Sequence, residues 1–183
     1  MRIIAGEFKG RKIKSPRSET VRPTKDRIRE SVFNIIAQHV PGSCVLDLFA
    51  GSGAYGLEAI SRGAKKAVFV EKGKEANRAI KENIELLDAA ERSELLNQDV
   101  FDSLEALNKD KERFGLIFAD PPYGKGMAKK TLIMINQYDI LLASGLFIIE
   151  HNSEERLPQS EESVTALKEK TYGNITISIY SRK

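Results

Sequence analysis

The sequence contains no tryptophan, one cysteine (Cys44) and two histidines among its 183 residues. A lone cysteine excludes an internal disulfide, and we expect a reducing, cytoplasmic location. Because Cys44 opens the apolar run Cys44-Val45-Leu46, we interpret it as a core residue rather than a reactive thiol. His39 and His151 have no second His or Cys at ligand spacing, so we predict no metal site.

Long apolar runs are also absent, and none approaches the roughly 20 residues that a membrane span requires. The opening segment, MRIIAGEFKGRKIKSP, lacks the apolar stretch and the cleavage site of a signal peptide. The remaining composition, 41% hydrophobic and 30% charged, is typical of a soluble globular protein. We therefore expect one domain with its own core, and a monomer.

Positive charge is concentrated at the start of the chain. Residues 1–30 contain 10 Lys or Arg against 4 Asp or Glu, whereas residues 31–183 contain 19 against 22. Such an arm predicts a partner that carries phosphates. We expect residues 1–21 to form a separate β-hairpin arm, and removal of residues 1–17 to spare folding. The basic side chains that we expect to contact nucleic acid are Arg2, Lys9, Arg11, Lys12, Lys14, Arg17, Arg22 and Arg27.

Beyond the arm, apolar runs alternate with helical periodicity. Arg22-Pro23-Thr24 opens a helix with Thr24 as its N-cap, and Pro41-Gly42 stops it. The spacing then predicts strands over 44–49, 66–71, 94–98, 114–119 and 145–150. It predicts helices over 54–62, 74–88 and 127–137, with a shorter one near 101–109. Two final runs, 163–170 and 174–180, predict an antiparallel hairpin at the edge of a mostly parallel α/β sheet.

Acidic residues stand at or just after four of the predicted strands: Asp47, Glu71, Asp99 and Asp120. Ligands of open α/β sheets bind beyond the carboxyl ends of the strands. One such carboxylate is commonly a helix N-cap or a solvated loop residue, but four at one edge indicate a ligand site.

The segment Gly51-Ser52-Gly53-Ala54-Tyr55-Gly56 matches G-x-G-x-x-G, a motif that alone also suits a nicotinamide dinucleotide. Asp47 and Asp120 flank this turn, and uncompensated like charges disfavour a pyrophosphate. The acidic edge suits a cationic ligand such as S-adenosylmethionine, with Glu71 accepting from the ribose hydroxyls and Asp99 from the adenine amine. We predict micromolar binding of that cofactor and much weaker binding of NAD.

Asp120-Pro121-Pro122-Tyr123 is the most specific motif. Two prolines remove two backbone donors and leave a rigid turn. A carboxylate beside an outward carbonyl forms an all-acceptor site that suits an –NH₂ group and stabilises charge developing on its nitrogen. Tyr123 offers a ring for stacking on an extruded base. We expect the catalytic role to need this ring and not its hydroxyl.

The segments DLFAGSG, VFVEK and FADPPYGKG resemble class I amino-methyltransferases. Together with MRIIAGEFKGRKIKSP, RPTKDRIRESVFNII and GLEAISRGA, they resemble the bacterial small-subunit (16S) ribosomal RNA guanine-N2 methyltransferases over essentially the whole chain. This resemblance implies a Rossmann-like methyltransferase fold with a seven-stranded sheet, S-adenosylmethionine as cofactor and ribosomal RNA as partner, within a small-subunit assembly particle. It implies a methyltransferase domain over residues 22–183.

Carried onto this sequence, the resemblance implies that the first helix covers the methionine end of the cofactor, which makes Arg27 and Phe33 further candidates. The residues implied to bind the cofactor are Asp47, Phe49, Ala50, Gly51, Ser52, Gly53, Glu71, Asp99, Val100 and Thr24. Gly73 stands where many relatives carry an acidic residue, so one minor adenosine contact is not expected.

Three other functions stay open at this point. The Asp-Pro-Pro-Tyr turn also serves adenine-N6 and cytosine-N4 methyltransferases of DNA or RNA, although 183 residues leave no room for a separate DNA-reading domain. A non-catalytic RNA-binding assembly factor could keep the fold but would not need this turn. A nucleotide-dependent dehydrogenase is disfavoured by the clustered acids.

Overall fold

Helices and strands alternate along the chain of this computed structural model, which describes residues 1–16, 23–124 and 126–183. The helices are Pro23–Ile35 (α1), Ala54–Ser61 (α2), Lys74–Leu87 (α3), Val100–Lys109 (α4) and Met127–Gln137 (α5). The strands are Cys44–Leu48 (β1), Lys66–Val70 (β2), Ser93–Leu96 (β3), Phe114–Ala119 (β4), Leu141–Asn152 (β5), Val164–Tyr172 (β6) and Ile175–Arg182 (β7). The predicted alternation of strands and helices is confirmed.

The strands form one seven-stranded sheet in the order β3-β2-β1-β4-β5-β7-β6. Strands β1 to β5 pair in parallel, and β7 pairs antiparallel with both β5 and β6. The strand order reverses between β1 and β4, and a crevice for ligands opens at such a point beyond the carboxyl ends. In the register of this region, Leu48 lies beside Ala119, and Ala119 lies beside Ile149.

The core has two parts, one on each face of the sheet. Neighbouring strand residues alternate between them, so that Phe118 packs with Phe33 and Phe69, whereas Ile117 packs with Phe147. Both parts consist of fully buried side chains, as parallel strands covered by helices require. Within the described residues, no helix is long and apolar enough to cross a membrane.

The basic N-terminal segment forms a short hairpin with an antiparallel bridge between Arg2 and Lys12. The amide N of Ile3 donates to the carbonyl O of Arg11 at 3.0 Å. Gly6 makes the close approach to α2, since an added Cβ would lie 1.8 Å from the carbonyl O of Ser61. The predicted hairpin is therefore present, and it lies against the body of the protein.

Three apolar residues of the hairpin, Ile3, Phe8 and Ile13, are only 1–5% exposed and belong to the core that includes Phe33 and Phe118. The buried carboxylate of Glu58 also accepts hydrogen bonds from the amides of Ile4 and Ala5 at 2.7 and 3.0 Å, which ties the hairpin to α2. These contacts make the hairpin part of the core, so we expect removal of residues 1–17 to destabilise the fold rather than to spare it.

Two further predictions need correction in their details. Thr24 lies inside the first turn of α1, which begins at Pro23, and is therefore not its N-cap. Strand β5 begins at Leu141 rather than 145, because its pairing with β4 shifts register between Phe114 and Leu116 and so continues past the irregular Ser144. The predicted contacts of Arg17, Arg22 and the Thr24 side chain lie outside the described residues.

Candidate active site

The turn after β1 consists of residues in unusual backbone conformations. Phe49, Gly51 and Gly53 have φ of 56°, 56° and 75°. Gly56, in the first turn of α2, has no space for a side chain, because an added Cβ would lie 2.3 Å from Cε1 of Phe69. The glycines therefore let the turn and the start of α2 approach the sheet edge closely and present backbone N–H groups there.

Asp47, near the end of β1, stabilises the start of α2 after this turn through a hydrogen bond. It is 3% exposed, and its Oδ2 accepts a hydrogen bond from the amide N of Gly56 at 2.9 Å. Asp47 also faces a narrow pocket of ≈ 40 Å³, which has room for about three water molecules, roughly the size of an amino-acid head group. The predicted site residues that line this pocket are Asp47, Phe49, Ala50, Gly51, Ser52 and Asp120.

Glu71 follows β2, and its carboxylate binds a backbone amide of the same turn. Its Oε2 accepts from the amide N of Gly51 at 3.0 Å, and its Oε1 accepts from the amide N of Gly73 at 2.7 Å. Carboxylate oxygens can each accept a further hydrogen bond, so Glu71 can still bind hydroxyl groups. With Gly51 and Gly73 it lines an open cleft of ≈ 470 Å³, which suits a nucleoside.

Asp99 lies at the start of α4, where its carboxylate is the N-cap of that helix. Its Oδ1 accepts from the amide N of Phe101 at 2.9 Å, and its Oδ2 pairs with Lys72 Nζ at 2.9 Å. The hydrogen bond from Lys72 is the main reason that the pKa of Asp99 lies below its ordinary value. An ionised acceptor therefore stands at this edge, and its predicted contact with an adenine amine stays a prediction, as does that of the neighbouring Val100.

Asp120 begins the Asp-Pro-Pro-Tyr turn, and Tyr123 ends it. Asp120 Oδ2 lies 3.5 Å from Lys25 Nζ of α1, and the Asp120 side chain is 29% exposed. Tyr123 is 44% exposed, so its ring is accessible for stacking. Its hydroxyl nevertheless donates to Glu150 Oε1 at 2.8 Å. The hydroxyl therefore also holds a buried carboxyl group, a contact that the sequence did not indicate, whereas the expectation that stacking needs only the ring stays a prediction.

Glu150 of β5 is a site residue that the sequence interpretation missed. It is 4% exposed and contacts the same narrow pocket as Asp120. Burial first, and then the charge of Asp120, raise the pKa of Glu150 to about 7. The sequence did contain a signal for Glu150, because it is the last residue of the predicted strand 145–150, as Glu71 is of the predicted strand 66–71.

Helix α1 covers the narrow pocket, as the resemblance implied, but with different side chains. Lys25 and Arg29, four residues apart on one helix face, line the pocket, whereas Arg27 is exposed. Arg29 is 2% exposed, and its guanidinium donates to the carbonyl O of Arg2 at 2.7 Å and to Asp26 Oδ1 at 3.2 Å, with its Nε 3.8 Å from Glu58 Oε2. Phe33 lies deeper, with its ring 6.2 Å from that of Tyr55. Two cations therefore face the carboxylates across this pocket, which fits a zwitterionic amino-acid group.

Tyr55, on α2, completes the pocket between the cations and the carboxylates. Burial, followed by the charges of Glu150 and Asp120, holds the pKa of the Tyr55 hydroxyl well above its ordinary value. This phenol therefore remains a neutral hydrogen-bonding group near neutral pH. Among the described residues, no three His, Cys, Asp or Glu side chains come together as a metal site requires.

The predicted RNA-binding side chains of the hairpin are all on exposed residues, Arg2, Lys9, Arg11, Lys12 and Lys14. Two of them also bind the protein itself. Arg11 donates to the carbonyl O of Leu86 at the end of α3, and Lys14 Nζ lies 2.7 Å from Glu82. RNA contacts by these two side chains would compete with the contacts to α3.

The strand order, the glycine turn after β1 and the acids at the strand ends together define a class I methyltransferase fold. A family model described as Conserved hypothetical protein 95 matches residues 1–181. The chain therefore belongs to this family.

Individual relatives agree with that placement. The chain is 36% identical over 183 residues to the Bacillus subtilis (strain 168) protein YlbH, with all of both chains covered. It is 36% identical over 181 residues to Ribosomal RNA small subunit methyltransferase D of Haemophilus influenzae. That alignment covers 98% of this chain and 93% of the relative. The solved structure of a hypothetical protein from Thermus thermophilus matches 98% of each chain with a TM-score of 0.84 and 30% identity.

Proposed function

We propose that this protein transfers a methyl group from S-adenosylmethionine to the exocyclic N2 amine of a guanine in 16S ribosomal RNA. The observation that carries the proposal is that Asp120 lines one pocket with the glycine turn and Glu150, while the exposed Tyr123 contacts that same Glu150. The relative of Haemophilus influenzae named Ribosomal RNA small subunit methyltransferase D supports RNA as the substrate class. The choice of guanine rests on the resemblance of the whole chain to the guanine-N2 enzymes.

Two neighbouring cavities match the two ends of the cofactor. The open cleft at Glu71 and Gly73 suits adenosine, with the Glu71 carboxylate accepting from the ribose hydroxyls. The narrow pocket suits the methionine end, where Lys25 and Arg29 pair with the carboxylate and Asp47 lies close to the cationic groups. The bound cofactor supplies an electrophilic methyl group, and the residues around it bind and orient the two reactants.

Asp120 acts on the amine that receives the methyl group. Its carboxylate accepts a hydrogen bond from the –NH₂ group, which weakens the delocalisation of the nitrogen lone pair into the base and stabilises the charge that develops. The rigid Pro121-Pro122 turn holds this acceptor in place. Tyr123 stacks on the base, an interaction that contributes about 1–3 kcal/mol.

The hairpin supplies sequence-independent affinity for RNA. Exposed cations such as Lys9 and Lys12 neutralise phosphates, and the counterions that this releases make the affinity depend on salt. Such contacts position the RNA but do not read its bases. In our proposal the protein acts as a monomer on an assembling small subunit.

Methyl transfer to defined nucleic acids tests the substrate class. Small ribosomal subunits from a strain lacking this protein, large subunits and duplex DNA are incubated with the protein and tritiated S-adenosylmethionine. We expect label only in the small subunit, and none with the Asp120→Ala variant. Label in DNA or in the large subunit would contradict the proposed substrate, whereas label in no acceptor would favour a non-catalytic assembly factor.

A further inference from the structure

Two carboxyl groups meet behind the proposed amine site. Because Ala119 pairs with Ile149 in the sheet, Asp120 and Glu150 follow on adjacent strands and line the same pocket. Glu150 Oε1 accepts a hydrogen bond from the Tyr123 hydroxyl at 2.8 Å. Asp120 is the more exposed member, and Glu150 the buried one. Two carboxyl groups that line one small pocket disfavour joint ionisation, so one of them keeps its proton to a higher pH.

The surroundings of this pair favour one shared proton. The titratable groups that face it are Lys25 and Arg29 from α1, Asp47 from β1, Tyr55 from α2 and Tyr123 from the turn. On the other side, β7 places the apolar Ile177 opposite Glu150. Burial and the charge of Asp120 disfavour ionisation of Glu150 more strongly than Lys25 and Tyr123 favour it, which raises its pKa to about 7.

Methylation of a neutral amine also releases a proton. The N–C bond forms as the C–S bond breaks, its electron pair stays on sulfur, and the positive charge moves to nitrogen. The nitrogen becomes neutral when an N–H bond breaks, with its electron pair returning to nitrogen and its proton passing to a base. We propose that Asp120 and Glu150, once their shared proton has been lost to solvent, act as one carboxylate pair that receives the proton of the amine, with Asp120 in contact with the amine.

Glu150 acts through Asp120 and is therefore a positioning residue. A base is most effective when its pKa lies near the working pH, and two adjacent carboxylates achieve this because they disfavour joint ionisation. Transfer of the methyl group removes the positive charge from the cofactor. The loss of that charge raises the proton affinity of the carboxylate pair just as the amine releases its proton. This inference rests on the proposed methylation of a base amine.

The first test needs neither substrate nor cofactor. Potentiometric titration of wild type and Glu150→Gln is compared, since glutamine still accepts the Tyr123 hydrogen bond but binds no proton. Glu154→Gln, an exposed glutamate nearby, is the matched control. We expect wild type and the control each to release one more proton near pH 7 than Glu150→Gln does. Identical titration curves near neutrality for wild type and Glu150→Gln would overturn the proposal.

The second test follows the rate of methyl transfer in a single turnover from pH 5.5 to 9. We expect the wild-type rate to increase with pH around pH 7. In Glu150→Gln we expect this pH dependence to disappear and the rate to fall by about tenfold to 100-fold. If Glu150→Gln keeps both the pH dependence and the rate of wild type, the proposal of a proton-accepting pair is wrong, but the proposed function is not affected. A wild type that shows the titration but methylates no base amine would instead overturn the proposed function.

Discussion

Replacement of Glu150 by glutamine should change how the free energy of unfolding depends on pH. Folded wild type keeps the Glu150 proton up to about pH 7, whereas the unfolded chain loses it near pH 4.5. Between these values the folded state binds more protons, so the free energy of unfolding falls as pH rises. At about 1.4 kcal/mol per pKa unit, the full loss is about 3 kcal/mol. Glutamine cannot ionise, so the variant should not lose this stability.

Urea unfolding followed by circular dichroism at pH 5 and pH 8 measures the effect. Relative to wild type, Glu150→Gln should gain about 2–3 kcal/mol between the two pH values, because most of the ionisation penalty appears in this interval. Glu154→Gln lies on the exposed surface and should follow wild type at both. Parallel pH profiles for wild type and Glu150→Gln would show that Glu150 is not a buried acid of raised pKa.

Four other predictions concern the cofactor, the amine, the hairpin and RNA. Glu71→Ala should weaken S-adenosylmethionine binding by about 1–3 kcal/mol in calorimetry; unchanged affinity would mean that Glu71 only supports the turn. Asp120→Ala should reduce turnover about 100-fold or more with near-normal cofactor affinity, and retention of most turnover would refute its role. Phe8→Ala should lower the free energy of unfolding by about 3–5 kcal/mol, and no change would mean that the hairpin core is dispensable. Lys9→Ala combined with Lys12→Ala should flatten the salt dependence of RNA affinity by about one unit for each phosphate that is no longer neutralised; an unchanged slope would place the RNA elsewhere.

The sheet could be predicted from the sequence because its strands are buried on both faces. Continuous apolar runs such as 114–119 stand out against the helical spacing between them, and β4 begins and ends as predicted. The first part of β5 could not be predicted, since small residues and the positive φ of Ser144 interrupt its pattern. Phe8 is held by residues distant in sequence, Ser61 of α2 and Arg92, and local periodicity does not encode such contacts.

The acids of the site were found from their positions at strand ends, but their partners were not. Asp99 is a helix N-cap and also pairs with Lys72. The sequence does not show these partners, because Lys72 reaches Asp99 from the end of a different strand. Glu150 was missed because its importance comes from its neighbours, Asp120 and Tyr123, which the sheet register brings to it. Arg29 was missed for a similar reason, since only the orientation of α1 shows which face meets the pocket.

Identification of the methylated nucleoside tests the central claim most directly. Small subunits from a strain lacking this protein are treated with the protein and S-adenosylmethionine, the RNA is digested, and the nucleosides are separated and identified by mass spectrometry. Asp120→Ala serves as the control for contaminating activities. We predict N2-methylguanosine that is absent from the control reaction. N6-methyladenosine or N4-methylcytidine in its place would contradict the assignment of guanine as the target base.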